Sequence, residues 1–583
     1  MSPPAALAGS LPLSSLALAL LVPSFLLLLL LLPLLRTQLR NVLINRHLSH
    51  IPAVPPPSNA SALHFLLRGH LSALEDFQDF AFTPLLLEYK RNRPAGHPLV
   101  IYRAFLGEPR LLLCTAEQVR HVAVARQRAW QKAPIVRDLL EDVLGKTSVV
   151  LAGDKDHTRL RATVHPAFHF DAVKACAPTA FVPEAARLAR EIVAAGSAAA
   201  ASSAGDAGAA AASGRGRARP VEVGPIAGVL AMRVVGIAGF GYRESDAEDR
   251  EFLREYRAQL EFAPSQLFML LKLSTPAWFY GNLVPVGATQ ARQCRVIRAG
   301  LRRMIRRRKA EIADAAVAGG SARLREDLLT VMLRGAAKGA GSGGETISEE
   351  EIVDQAQTFM TAGQITTASA IAYAAWQVTG NAGAQARLEA EVRPLAGEIV
   401  RAEAEEGALV GMHDEELTAL MLRVDALPYL DAAVKETLRL FPPAPNSVRI
   451  ALEEDTLDGV HIPQFANALV PLHMIQTDPE TWGADAAEFN PDRWVAPHGS
   501  AVVSKACSMA YMPFLHGPRG CIGSRFALFE IKLAVAVMFG AFDVERPEDF
   551  KEPKIKGILP FPYELFLRFE PRPEVMGTTM ESA

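Results

Sequence analysis

Residues 513–526 read "PFLHGPRGCIGSRF" and hold one cysteine, Cys521, among three glycines and two arginines. Nothing in the stretch offers Cys521 a second sulfur, a histidine pair or an acid. The chain has five cysteines, at 114, 176, 294, 507 and 521, an odd and scattered set with no CxxC pair. That excludes a disulfide framework and a Cys-type zinc site. Half of the 583 residues are hydrophobic and the formal net charge is −2, so neither a nucleic-acid partner nor a polyanionic substrate is indicated. The need is for a single thiol held in a backbone cage.

As spacing the stretch is F-x-x-G-x-R-x-C-x-G, carried by Phe514, Gly517, Arg519, Cys521 and Gly523. Five set residue types match by chance about once in a million start points. Glycines at 517, 520 and 523 let backbone N–H groups approach the sulfur, and the following "SRFALFEIKLAVAVMF" reads as a helix whose N-terminal dipole favours the anion. This suits one thiolate on a haem iron, with Arg519 placed for a haem propionate and Phe514 for packing against the ring. At these residues the chain resembles the cytochrome P-450 superfamily, whose haem-binding signature this is, and within it the membrane-anchored microsomal type of eukaryotes, most of all its fungal members.

Other motifs follow the order of that family. "KETLRL" places Glu436 and Arg439 at i and i+3 on one helical face, and "EFNPDRW" supplies Arg493. The resemblance implies that these three form a buried charged network behind the haem, tolerable only because each charge has a partner. "TFMTAGQITTAS", residues 358–369, lies in an apolar, small-residue helix whose start is marked by the capping-box pair Ser348 and Glu351. Ala362 and Gly363 leave room above a flat cofactor, and the Thr366 hydroxyl can bond back to the preceding turn. The segment resembles the family's oxygen-binding groove, with one departure: Ile365 stands where an Asp or Glu is usual, which puts the proton route in doubt. In "GDKDHTRLRATVHPAF", His157 and Arg161 share a face at i and i+4 and resemble the family's propionate-binding W-x-x-x-R segment, with Arg449 as a further propionate partner.

From Leu11 to Leu35 the chain is uncharged and long enough to cross ~30 Å of hydrocarbon, with Arg36, Arg40 and Arg46 directly after it. The expected organisation is a signal-anchor span at 1–36, a basic and Pro-rich linker at 37–59 whose "PAVPPPSN" (52–59) acts as a hinge, a catalytic domain at 60–570 and a frayed tail at 571–583. The low-complexity stretch 194–219 is expected as a disordered insertion, and "GAAKGAGSGGE" at 335–345 as a flexible loop. The positive-inside rule puts the body on the cytoplasmic side, which the resemblance identifies with the endoplasmic reticulum. Helical periodicity dominates residues 180–440, with strand-like runs near 99–114 and 457–471. The fold class is therefore mainly α with small β-sheets (α+β), the P-450 fold preceded by a transmembrane helix.

The resemblance implies haem b as cofactor, Cys521 as axial iron ligand, and a monooxygenase inserting one oxygen atom from O2 into a small lipophilic molecule such as a fatty acid, terpenoid or polyketide. NADPH would supply electrons through a separate NADPH-cytochrome P-450 reductase, with cytochrome b5 as a second donor and membrane lipid as a further partner. A hydroxylase of a small organic acid, a reductase-independent isomerase or dehydratase, and a non-catalytic haem protein are the alternatives. NADPH consumption coupled to product separates the monooxygenase from the last two.

Overall fold

The computed structural model describes residues 35–55 and 83–576, apart from 37, 95–96, 105–106, 202–217, 244, 261–271, 273–274, 276, 318–326, 343–346, 402–411, 496–503 and 557–558. The span expected at 1–36 thus lies almost wholly outside the described residues. In chain order, the helices that frame the site are α1 (38–47), α2 (Pro134–Leu144), α3 (Asp154–Val164), α4 (Val182–Ala201), α5 (Val223–Phe240), α6 (Pro285–Val317), α7 (Glu349–Thr379), α8 (Ala382–Arg401), α9 (Pro428–Leu440) and α10 (Ser524–Ala541). The strands of the largest sheet are β1 (Val100–Arg103), β2 (Pro109–Leu112), β3 (Trp130–Lys132), β4 (Asn446–Ala451) and β5 (Asn467–Pro471). The chain is mostly helical with small sheets, the α+β class read from periodicity.

Helix α7 is the axis of the helical body. It begins at a closed capping box: the Ser348 hydroxyl accepts from the Glu351 N–H at 3.2 Å, and the Glu351 carboxylate accepts from the Ser348 N–H at 2.8 Å. Its 31 residues rise ~46 Å. Alanines at 368, 370, 372, 374 and 375 bury it on all sides at its C-terminal half, against α4, α8, α9 and α10 in one core cluster. Helix α5 is apolar and long enough to cross a membrane, but it is mostly buried, and it packs along α7 as a core helix. The contact is close because Gly363 has no side chain: a Cβ there would stand 3.0 Å from Val235 Cγ2.

The five-stranded sheet runs β1-β2-β5-β4-β3, antiparallel except for the parallel β2–β5 pair. Register in the β3–β4 pair sets Lys132 directly opposite Arg449. The sheet carries a second core that includes Ile44, Leu48 and Ile51. Residues 52–54 extend it, since the Val54 N–H donates to the Ile101 carbonyl at 2.8 Å and the Ile101 N–H to the Pro52 carbonyl at 2.9 Å. The part of the Pro-rich linker up to residue 54 is therefore not a hinge: a proline lacks only the donor, and its carbonyl still serves a sheet edge.

Three other boundaries shift for similar reasons. The alanine-rich start of the 194–219 stretch continues α4 to Ala201, as alanine's helix propensity favours, and the helix Leu328–Ser342 runs into the expected 335–345 loop. At the tail, Arg572 is buried with its guanidinium 2.6 Å from Glu389 and 2.6 Å from Asp543, and Val575 joins the core. The residues beyond 576 lie outside those described.

Behind the cysteine loop, Glu436 and Arg439 are fully buried on α9. The Arg439 guanidinium makes two bonds of 2.8 Å to the Glu436 carboxylate and reaches the carbonyls of Gln476 at 2.9 Å, Ala486 at 2.6 Å and Glu488 at 3.1 Å. Glu436 also accepts from Trp494 Nε1 at 2.8 Å, from the Asn490 N–H at 3.1 Å and from Arg493 at 3.4 Å. Every oxygen of the carboxylate is thus committed. Glu436→Gln removes the counter-charge of fully buried Arg439, whereas Arg493 keeps Asp485 at 2.7 Å, and the expected loss is about 3–5 kcal/mol in unfolding free energy. Exposed Glu453, paired with Arg126, is the control, with an expected change below about 1 kcal/mol for Glu453→Gln. Denaturant titration of both variants checks the contrast.

The Gly363 contact gives a second expectation. Alanine gains up to ~1 kcal/mol in helix propensity, while overpacking costs about 1–3 kcal/mol, so the single variant is close to balance. A double-mutant cycle decides: Gly363→Ala is expected to be more favourable by ~1 kcal/mol or more when Val235 is already alanine.

Candidate haem-thiolate site

The loop before α10 is shaped by its own backbone. The Cys521 N–H donates to the Phe514 carbonyl at 2.8 Å, the Gly520 N–H to Gly517 at 2.9 Å, and the Leu515 N–H to Met512 at 2.9 Å. Gly517 has φ +83°, and a Cβ there would lie 2.9 Å from the Ala123 carbonyl oxygen, so position 517 has no room for a side chain. Phe514 packs half-buried against the helical core. Gly523 is the N-cap of α10, which puts Cys521 two residues ahead of a helix N-terminus. Burial pushes the Cys521 thiol up, while a hydrogen bond from the Gly523 backbone and the charge of Arg161 pull it down.

Cys521 itself is exposed in this loop. The loop lies against α7 through Phe168. That ring is 5.1 Å from Phe359 on α7, and Gly523 approaches its other side, with a Cβ there standing 3.8 Å away. Ile522 joins the same cluster. One turn beyond Phe359, a helix buried elsewhere from 352 to 375 shows four half-buried residues, Ala362, Gly363, Ile365 and Thr366. The Thr366 hydroxyl donates to the Ala362 carbonyl at 2.7 Å. Gly363 meets Val235 of α5, so its missing side chain is explained by helix packing as well as by room along this half-buried face. Gln364 points away, its amide donating to the Gly228 carbonyl at 3.3 Å.

Four cations and a histidine converge beside the loop from separate parts of the chain. Arg161 of α3 donates to the Gly520 carbonyl at 2.8 Å. Arg519 donates to the Ala152 carbonyl at 2.7 Å and the Gln131 side chain at 2.8 Å. Arg449 is 2% exposed and donates to Ser447 Oγ at 2.6 Å. Lys132 stands opposite it on β3. Among the described residues no carboxylate is hydrogen-bonded to any of the four; the acid felt by Arg519 is Asp154. Burial, then the charges of Arg449 and Arg519, bring Lys132 down to about 7. Burial, then the charge of Arg519, lowers Arg449 to about 10, and burial with Arg519, Arg161 and Lys132 lowers buried His157 to about 4. His157 is therefore neutral near pH 7.

This donor set fits a flat tetrapyrrole carrying iron and two carboxylates. The thiol is exposed, and mutually repelling cations with no hydrogen-bonded carboxylate among the described residues stand where a dianion would relieve them. Lys132 belongs to this set although no motif marks it: a lysine after "WQ" in a three-residue strand has no pattern of its own, and only strand pairing brings it to Arg449. Gln476 is a second such residue. Its amide donates to the carbonyls of Leu438 and Arg439, and its oxygen accepts the Met512 N–H at 2.8 Å, so the charged network reaches the start of the cysteine loop.

Comparison with known proteins agrees with the geometry. The Cytochrome P450 family model matches residues 100–567. Cytochrome P450 monooxygenase sphH of Aspergillus fumigatus is 28% identical over 516 residues, 85% of this chain and 83% of that protein. Cytochrome P450 monooxygenase ALT8 of Alternaria alternata is 27% identical, over 78% of this chain and 79% of its own. Cytochrome P450 72A15 of Arabidopsis thaliana is 26% identical over 70% and 69%. With the match running from the first strand of the sheet to residue 567, and an exposed thiol whose loop adjoins a cluster of cations, the chain belongs to the cytochrome P450 family of monooxygenases.

Proposed function

We propose that this oxidoreductase hydroxylates or epoxidises a small lipophilic molecule of the fatty acid, terpenoid or polyketide kind, with electrons from NADPH through a partner reductase. The observation that carries the reading is the pairing of an exposed Cys521 with cations to which, among the described residues, no carboxylate is hydrogen-bonded. Haem b, when bound, supplies the oxygen and redox chemistry. Cys521 would hold its iron as a thiolate; Arg161, Arg449, Arg519 and Lys132 would hold its two carboxylates, with neutral His157 beside them. Thr366 would hold a proton at its Oγ, already anchored to the Ala362 carbonyl. Ile365 leaves no carboxyl beside it, so ordered water is assigned the supply of protons to that hydroxyl. Half-buried Ala362 and Ile365, next to Thr366 on α7, are apolar, which supports a lipophilic substrate.

On the loop side of the protein, Arg525 lies 5.4 Å and Lys174 5.9 Å from the ring of exposed Phe170. A cationic surface four residues beyond Cys521 supports docking of an acidic electron donor. The apolar run at 11–35 and the arginines after it support a single-pass anchor in the endoplasmic reticulum membrane with the body cytoplasmic.

The carbon-monoxide difference spectrum of the reduced protein tests the ligand. A thiolate-type Soret band is expected in the parent and absent in Cys521→Ala; a haem-loaded parent without that band overturns the assignment. Haem titration across pH 6–9 tests the rim. A bound dianion raises the Lys132 pKa above its ligand-free value of about 7, so uptake is tightest below that pH and weakens as pH rises through the window above it. Lys132→Arg is expected to flatten the profile, and Lys132→Met to weaken haem binding by roughly 10- to 100-fold, as for a charged hydrogen bond of about 1.5–3 kcal/mol.

A further inference from the structure

Helix α1 has two apolar faces. Asn41, Ile44 and Leu48, spaced i, i+3 and i+7, turn inward, with Ile44 and Leu48 in the core of the sheet. On the opposite side, Leu39, Val42 and Leu43 are 62, 61 and 53% exposed, and helical Leu35 just before them is 71% exposed. With spacing i, i+4, i+7 and i+8 these four make one continuous stripe. A helix resting on a globular body needs one such face; the second calls for another apolar phase.

The position of the stripe in the chain says which phase. Thirty-four residues precede it, and the uncharged run from Leu11 ends at Leu35, where the stripe begins. Arg36 and Arg46 are exposed beside the stripe, and Arg40 keeps half its surface while reaching Glu108 at 3.4 Å. An apolar face edged by arginines matches a bilayer surface with anionic headgroups. A second copy of this chain is a poorer fit, since a twofold contact through the same face would bring these arginines together.

We propose that α1 is an interfacial strut, lying in the headgroup region with Leu35, Leu39, Val42 and Leu43 turned into the acyl boundary. The attachment on the other side is rigid. Ile44, Leu48 and Ile51 are core residues, Arg40 is tied to Glu108, and the chain then pairs with β1 through Ile101. The strut therefore sets the distance and tilt of the catalytic body above the bilayer, where a flexible spacer would leave both free. This rests on the membrane-anchor reading above and adds to it a second contact.

The test uses the full chain in phosphatidylcholine–phosphatidylserine liposomes. A depth-sensitive fluorophore is placed at Leu39→Cys, Leu43→Cys or, as a control, Val317→Cys, which is 89% exposed at the end of α6. The unsubstituted chain carried through the same labelling gives the background from its own cysteines. Lipids brominated just below the headgroup, about 5–10 Å deep, are expected to quench most of the emission at 39 and 43, and none at 317. Alkaline carbonate extraction is run on the same samples. Unquenched labels at 39 and 43 in a chain that resists extraction overturn the strut and leave the anchor standing. Quenched labels in a chain that carbonate strips leave the strut standing and remove the anchor. Labels blind to brominated lipid but dimming as protein density rises would assign the face to a second copy and also overturn the proposal.

Discussion

Everything near Cys521 depends on one buried ion pair. Glu436 and Arg439 sit at zero exposure, and their attraction is useful only because each remaining lone pair and N–H is met by the 476–494 segment. Removing charge from water is costly, so such a pair is stable in one arrangement and poor in all others. Gln476 carries that arrangement forward, since the amide that accepts the Met512 N–H also donates to the carbonyls of Leu438 and Arg439. The loop's strained backbone, with Leu515 at φ 57° and Gly517 at φ +83°, is thereby held at its base.

The second organising element is a charge imbalance. Lys132, Arg161, Arg449 and Arg519 come from four places in the chain and meet with no acid among the described residues hydrogen-bonded to any of them. Such a cluster opposes folding unless something anionic belongs in it. The clustering of these cations, with Lys132 set opposite Arg449 by strand pairing, thus supports an anionic ligand alongside the cysteine. Helix α7 supplies the third wall, and there one residue answers to two demands: Gly363 lies on the half-buried face and also lets Val235 of α5 approach closely.

The motifs legible in the sequence are those with short, rigid spacing. F-x-x-G-x-R-x-C-x-G is a loop whose bonds run from Cys521 to Phe514 and from Gly520 to Gly517, so its geometry is written within eight residues. The Ser348–Glu351 capping box and the Glu436–Arg439 pair are contacts three residues apart. Long periodic helices follow the same logic. Short strands do not: β3 and β4 have no alternation that outweighs their Lys, Arg and Asn, and they are strands because distant partners complete their hydrogen bonds, on both sides of β4 and on one side of the edge strand β3.

The sequence by itself determined the thiolate loop, the long helix with its departure at Ile365, the ion pair, and the mainly α class with small sheets. Tertiary structure alone decided that Lys132 faces Arg449, that Gln476 links the ion pair to the loop, that Gly363 also serves a neighbouring helix, and that α1 and residues 52–54 belong to the body. The division has one physical cause. Backbone hydrogen bonds and i, i+3 contacts are set within a turn or two of chain, whereas burial and charge repulsion depend on which distant segments the core brings together.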